Sequence, residues 1–146
     1  MSNEPKSFRH KDCYVLSGEH FAVEITRHSN DLPMIYGARY RDGGNRWCVY
    51  AYIHPKHPLF EVVSEIDPEK YYSKMAVLEV NDLLHGGCSY FEKYGSSRCV
   101  KFGADYNHLG DDNFTRIESF DEAGIVEADA RRLYDYLTNY KENHNE

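Results

Sequence analysis

No stretch of this chain stays apolar for the roughly 20 residues that a membrane-crossing helix requires, so an ordinary helical span is excluded. The opening residues, Met1-Ser2-Asn3-Glu4-Pro5-Lys6-Ser7, have no apolar segment behind their charges. A secretory leader is therefore not expected, and the cytoplasm, of a host cell if the chain is viral, is the expected location. Cysteine is scarce and never arranged as Cys-x-x-Cys: Cys13, Cys48, Cys88 and Cys99 stand 35, 40 and 11 positions apart. That spacing argues against a zinc ribbon or a redox pair, and the four read as small, reduced core residues. Basic residues are outnumbered 17 to 24 by acidic ones, a net charge of −7 that disfavours an extended nucleic-acid surface. Internal repeats, low-complexity blocks and linkers are also missing. What is left is one domain, residues 1–146, long enough to bury a core of its own.

The chain is rich in tyrosine, with 13. Tyrosine brings a large, rigid, partly polar surface, which serves either a contact face or the wet edges of strands. The second reading is favoured here because most of these tyrosines fall in alternating patterns. Phe21, Val23 and Ile25 alternate with polar or small residues, the period of a half-buried strand. Met34, Tyr36, Ala38 and Tyr40 suggest a second strand, and Arg41-Asp42-Gly43-Gly44-Asn45 a tight turn into a third, Trp47 to Ile53. That third strand is apolar enough to be central, with Trp47 anchoring the core or its rim. His54-Pro55-Lys56-His57-Pro58 ends it, because proline removes donors. His54 and His57 read as packed or hydrogen-bonded imidazoles at a strand end, with His57 also a candidate peripheral contact.

Asp67-Pro68 starts a short helix, with Asp67 as N-cap and Pro68 in the first position. Val77 to Val80 suggests a brief strand, and Cys88–Glu92 and Arg98–Ala104 a hairpin. From about Asp121, Val126, Ala130, Leu133, Leu137 and Tyr140 recur at helical steps, with Glu122, Glu127 and Asp129 early and Arg131, Arg132 and Lys141 late, as the helix dipole prefers. Residues 1–12 and 142–146 are expected to fray. The fold class is α+β: a mainly antiparallel sheet of about five or six strands with the C-terminal helix packed on one face.

The polar residues concentrate in His85-Gly86-Gly87 and in Asp105-Tyr106-Asn107-His108-Leu109-Gly110-Asp111-Asp112. The hairpin between them brings the two groups together. Asp105, His108 and Asp111 form Asp-x-x-His-x-x-Asp, and His85 is the natural fourth member. Imidazole and carboxylate suit Zn or Mn, and carboxylate alone suits Mg. Such a centre supports hydrolysis by lowering the pKa of bound water. Without a metal, His85, His108 and Asp105 suit acid/base catalysis. The competing reading is structural, with Asp105 and Asp111 capping loop amides, His108 packed beneath them, and Gly86-Gly87 permitting a bulge or close approach.

These same stretches resemble a family of small bacteriophage and prophage proteins marked by a Trp-Cys-Gly-Tyr strand, a His-Pro-Leu-Tyr turn, a His-Gly-Gly-Leu-Thr-Phe motif and a Gly-Phe-Asp-Cys-Ala-His-x-Gly-Asp motif. Here they read Trp47-Cys48-Val49-Tyr50, His57-Pro58-Leu59-Phe60, His85-Gly86-Gly87-Cys88-Ser89-Tyr90 and Gly103-Ala104-Asp105-Tyr106-Asn107-His108-Leu109-Gly110-Asp111. The likeness spans about Pro33 to Leu137. It departs at Val49, Cys88, Ser89 and Ala104, all strand packing positions. The resemblance implies a viral origin and a role against host functions, including defence.

Two functions follow as expectations. One is a metal-dependent hydrolase of a phosphate ester or nucleotide signal, with Asp105, His108, Asp111 and His85 as ligands. The other is a non-enzymatic inhibitor that binds a host protein or sequesters a small nucleotide. His57, Gly86, Gly87, Tyr90 and Asp112 are the expected substrate or partner contacts. The sequence leaves the oligomeric state open.

Overall fold

A computed structural model describes residues 6–10, 13–29, 45–95, 98–106 and 120–141. Six strands form one sheet: β1 (Lys6–His10), β2 (Cys13–Gly18), β3 (Phe21–Ser29), β4 (Asn45–Ile53), β5 (Tyr90–Tyr94) and β6 (Cys99–Asp105). Their order is β1-β2-β3-β4-β6-β5, and every pair is antiparallel. The α+β fold and the packed C-terminal helix thus follow the sequence expectation.

The register explains why one face is buried. Leu16 lies opposite Val23, Val23 opposite Ala51, and Ala51 opposite Phe102. Because side chains alternate with a period of two, this row and its neighbours, Tyr14-Ile25-Val49-Ala104 and Phe21-Ile53-Val100, all point one way. Every residue in these rows is buried. β4 is a central strand, as its apolar sequence implied, and Trp47 is fully buried against the Phe120 ring.

Helices cover that face. α1 (Phe60–Ser64), a 3-10 turn (Pro68–Lys70), α2 (Tyr71–Val77) and a second 3-10 turn (Val80–Asp82) fill the connection from β4 to β5. Asp67 accepts the Glu69 N–H at 3.0 Å, the cap expected ahead of Pro68. Beside this segment lies α3 (Gly124–Asn139), preceded by a 3-10 turn, Phe120–Glu122. α3 buries Val126, Ala130, Leu133 and Leu137 over β2, β3 and β4. Burying such a stripe contributes about 1.5–3 kcal/mol per large side chain, so α3 owes its stability to the sheet more than to helix propensity.

Two expectations need correction. Lys6–His10 pairs with β2 as an edge strand; a backbone ladder needs no hydrophobic period, so the polar sequence concealed it. Val77–Val80 is a helix end. The Leu78 and Glu79 amides close on Lys74 and Ala76 carbonyls, and Glu79 takes the left-handed φ of 66°. Glycine or asparagine usually signals that position, and glutamate does not. The proposed strand and turn at residues 33–44 lie outside the described residues, as do residues 142–146.

Candidate functional site

The His85-Gly86-Gly87 turn leads from the second 3-10 segment into β5. Gly86 and Gly87 both have positive φ, 77° and 81°, and a Cβ on Gly87 would press on the Tyr72 hydroxyl at 3.2 Å and Asn81 at 3.3 Å. Both conditions favour glycine. Asn81 holds the exit of the turn, accepting the Cys88 N–H at 2.8 Å.

Asp129 of α3 holds the entrance. Its carboxylate, 3% exposed, accepts the His85 backbone N–H at 3.0 Å and the Tyr106 hydroxyl at 2.7 Å, and is paired with Arg132. The Tyr106 ring, fully buried, stacks on the His85 imidazole with centroids 6.0 Å apart. Arg132 also reaches the Leu83 carbonyl at 3.4 Å. A buried carboxylate that collects three donors is a joint between turn, strand end and helix, since losing any one partner leaves a costly charge. From sequence Asp129 read only as an early acidic residue on a helix; no local signal marks a carboxylate that turns inward.

The sequence-predicted residues separate as follows. His85 is exposed on the helical side of the sheet, against Tyr106. Asp105 pairs with Cys48 in the register of the opposite face, and Ser89 Oγ accepts its amide at 3.2 Å. The hairpin therefore brings the two motifs close along the chain but sends His85 and Asp105 to opposite sides of β6. His108, Asp111 and Asp112 lie outside the described residues. Among the described residues, no group of three or more histidine, cysteine or carboxylate side chains is placed to hold a metal ion.

His57 is buried. Its Nδ1 accepts the Leu59 N–H at 3.0 Å, and its Nε2 faces the Leu137 carbonyl at 2.9 Å, which assigns the proton to Nε2. Burial pushes its pKa below the ordinary value, against the opposing pull of the Leu137 carbonyl. It ties the loop after β4 to the end of α3, the packed role that the prolines suggested. His54 is exposed and accepts the Lys56 N–H on Nδ1 at 3.2 Å.

No family model, curated protein or solved structure matches the chain.

The sheet face away from the helices carries a cluster of three tyrosines, Tyr50, Tyr52 and Tyr90. Tyr50 and Tyr90 both pair with Gly103, one from each side, and their rings meet with centroids 5.1 Å apart. One step along, Tyr52 and Glu92 flank Lys101. The Lys101 ammonium lies 4.2 Å from the Tyr50 ring centroid, 5.1 Å from that of Tyr90 and 5.3 Å from that of Tyr52. Each such contact is worth about 0.5–1 kcal/mol at an exposed site.

The hydroxyls of two of these rings are committed to carboxylates: Tyr52 donates to Glu24 at 2.9 Å, and Tyr90 donates to Glu92. Burial, then the Glu24 bond, raises the Tyr52 pKa, whereas the Glu92 bond is the larger cause for Tyr90. Both stay protonated. Gly103 makes the arrangement possible, because a Cβ there would lie 1.9 Å from the Val49 carbonyl oxygen. A lone glycine within the Arg98–Ala104 strand pattern was the available sequence signal for this site.

Proposed function

We propose that the protein is a non-enzymatic inhibitor of phage type that docks a host protein through the open face of its sheet. The observation that carries this reading is the ring of Tyr50, Tyr52 and Tyr90 around Lys101, rimmed by Glu24 and Glu92. Rigid aromatic surface with satisfied hydroxyls is the composition of a contact face. The spacing of these residues serves no packing need on the helical side. The likeness of the sequence motifs to phage proteins supplies the expected setting, a host cytoplasm and a role against host functions, including defence.

A second reading, a metal-dependent hydrolase of a phosphate ester or nucleotide signal, draws on the exposed His85 imidazole. That ring is held by Tyr106 on a turn fixed to Asp129, a rigid mount suited to acid/base work. It would use His85 with His108 and Asp111 and Zn, Mn or Mg, without Asp105, which lies on the other side of β6.

One experiment separates the two. The chain is expressed in bacteria carrying characterised defence systems, and phage plating is scored for the unmodified protein, for Tyr50→Ser/Tyr90→Ser and for His85→Ala/His108→Ala. Inhibition that is stoichiometric, survives chelator in extracts and disappears only in the tyrosine variant is the expected result. Loss in the histidine variant alone, with turnover by the purified protein, would replace the first reading with the second.

A further inference from the structure

We propose that Lys101 is a built-in competitor for the group that the open face recognises, a lysine or arginine side chain from a basic segment of the partner protein. This rests on the reading of the open face as the binding surface.

The rings already hold an ammonium group, at 4.2, 5.1 and 5.3 Å from their centroids, so their spacing suits a cation. Among the described residues the Lys101 ammonium lies against rings and not within salt-bridge distance of a carboxylate. The two nearest register partners of this cage that carry charge, Glu24 opposite Tyr50 and Glu92 opposite Lys101, are both negative. Their hydrogen bonds from Tyr52 and Tyr90 add electron density to the rings, which strengthens the attraction for a cation. Phosphate would meet the reverse: two carboxylates at the rim and one lysine whose charge is engaged by the rings.

The net charge of −7 extends the same preference over the whole molecule. Lysine sits on a flexible four-carbon stem, so Lys101 can leave the rings without backbone movement. A partner's arginine or lysine would then take its place, the arginine with the added advantage of stacking.

The test uses the full chain and a short peptide of alternating lysine and glycine, titrated by calorimetry, with ATP as the anionic probe. Lys101→Met should bind the lysine peptide about 2- to 5-fold more tightly than the unmodified protein, the value of one exposed cation–π contact. Lys93→Met removes the same charge from a lysine that instead donates to the Ser64 carbonyl, and should gain less. Adding Tyr50→Leu to Lys101→Met should erase the gain; circular dichroism and thermal melts check that each variant is folded.

Equal gains in Lys101→Met and Lys93→Met would reduce the effect to net charge and overturn the proposal. So would ATP binding that Lys101→Met abolishes, which would make the face a nucleotide site. If no variant binds the peptide, the ligand class is wrong, and the plating result for Tyr50→Ser/Tyr90→Ser decides separately whether the open face is the functional surface.

Discussion

At the scale of single residues, Gly103 and the cysteines give the sharpest expectations. A Cβ on Gly103 would overlap the backbone of β4, with the Val49 oxygen at 1.9 Å and Tyr50 Cα at 2.8 Å. Backbone in mid-sheet cannot step aside as a side-chain tip can. Gly103→Ala should therefore destabilise by about 3 kcal/mol, the upper end of overpacking costs, and urea titration will show whether it does. An unchanged midpoint would mean that β4 and β6 lie farther apart than described. The thiols are all free; Cys48 and Cys88 are buried. Burial pushes Cys88 to about 11, and burial together with the neighbouring Glu24 does the same for Cys13. Since the thiolate is the reactive form, native protein should react slowly with a thiol reagent at pH 8, and all four cysteines should react at once in denaturant.

Between elements, Asp129 does what neither α3 nor the His85 turn does alone. Leu133 and its row fix the height of the helix over the sheet, but a hydrophobic stripe is non-directional and tolerates sliding. The Asp129 bonds to His85 and Tyr106 are directional and set the register of helix against turn. Asp129→Ala should cost about 3 kcal/mol, because buried donors lose their acceptor and Arg132 its charge partner. Hydrogen exchange should show the loss concentrated at the His85 amide and the following turn. Uniform loosening of the whole molecule would instead assign Asp129 a general packing role. On the opposite face, Tyr50→Ser/Tyr90→Ser removes two half-buried rings that pack on each other and on Lys101, so its thermal midpoint should fall by less than that of Asp129→Ala while its activity against the host is lost.

For the molecule as a whole, His57 links stability to pH. Its folded-state pKa lies below the ordinary 6.5. The unfolded chain therefore binds the proton more readily. Above about pH 6.5 the stabilisation from neutral, packed His57 is fully present, and it is lost as pH falls from there through the folded pKa. His57→Gln should flatten that part of the stability curve. The groups around the ring, Phe21, Tyr140 and the more distant His20, supply no carboxylate that would reverse the sign.

The amino-acid order by itself determined β3, β4, the hairpin of β5 and β6 and the buried stripe of α3, but not β1 or β2, which join the sheet through backbone pairing. Alternation in Phe21–Ile25 and Trp47–Ile53, the Asp67-Pro68 start and the stripe on α3 are local patterns, imposed by the backbone periods of 2 and 3.6. Only the tertiary structure decided that Asp129 points inward, that His85 and Asp105 part company across β6, and that three tyrosines close around Lys101. Each of these depends on residues far apart in the chain meeting in one register, and a pairing across strands or between helix and turn leaves no mark in the spacing of either partner alone.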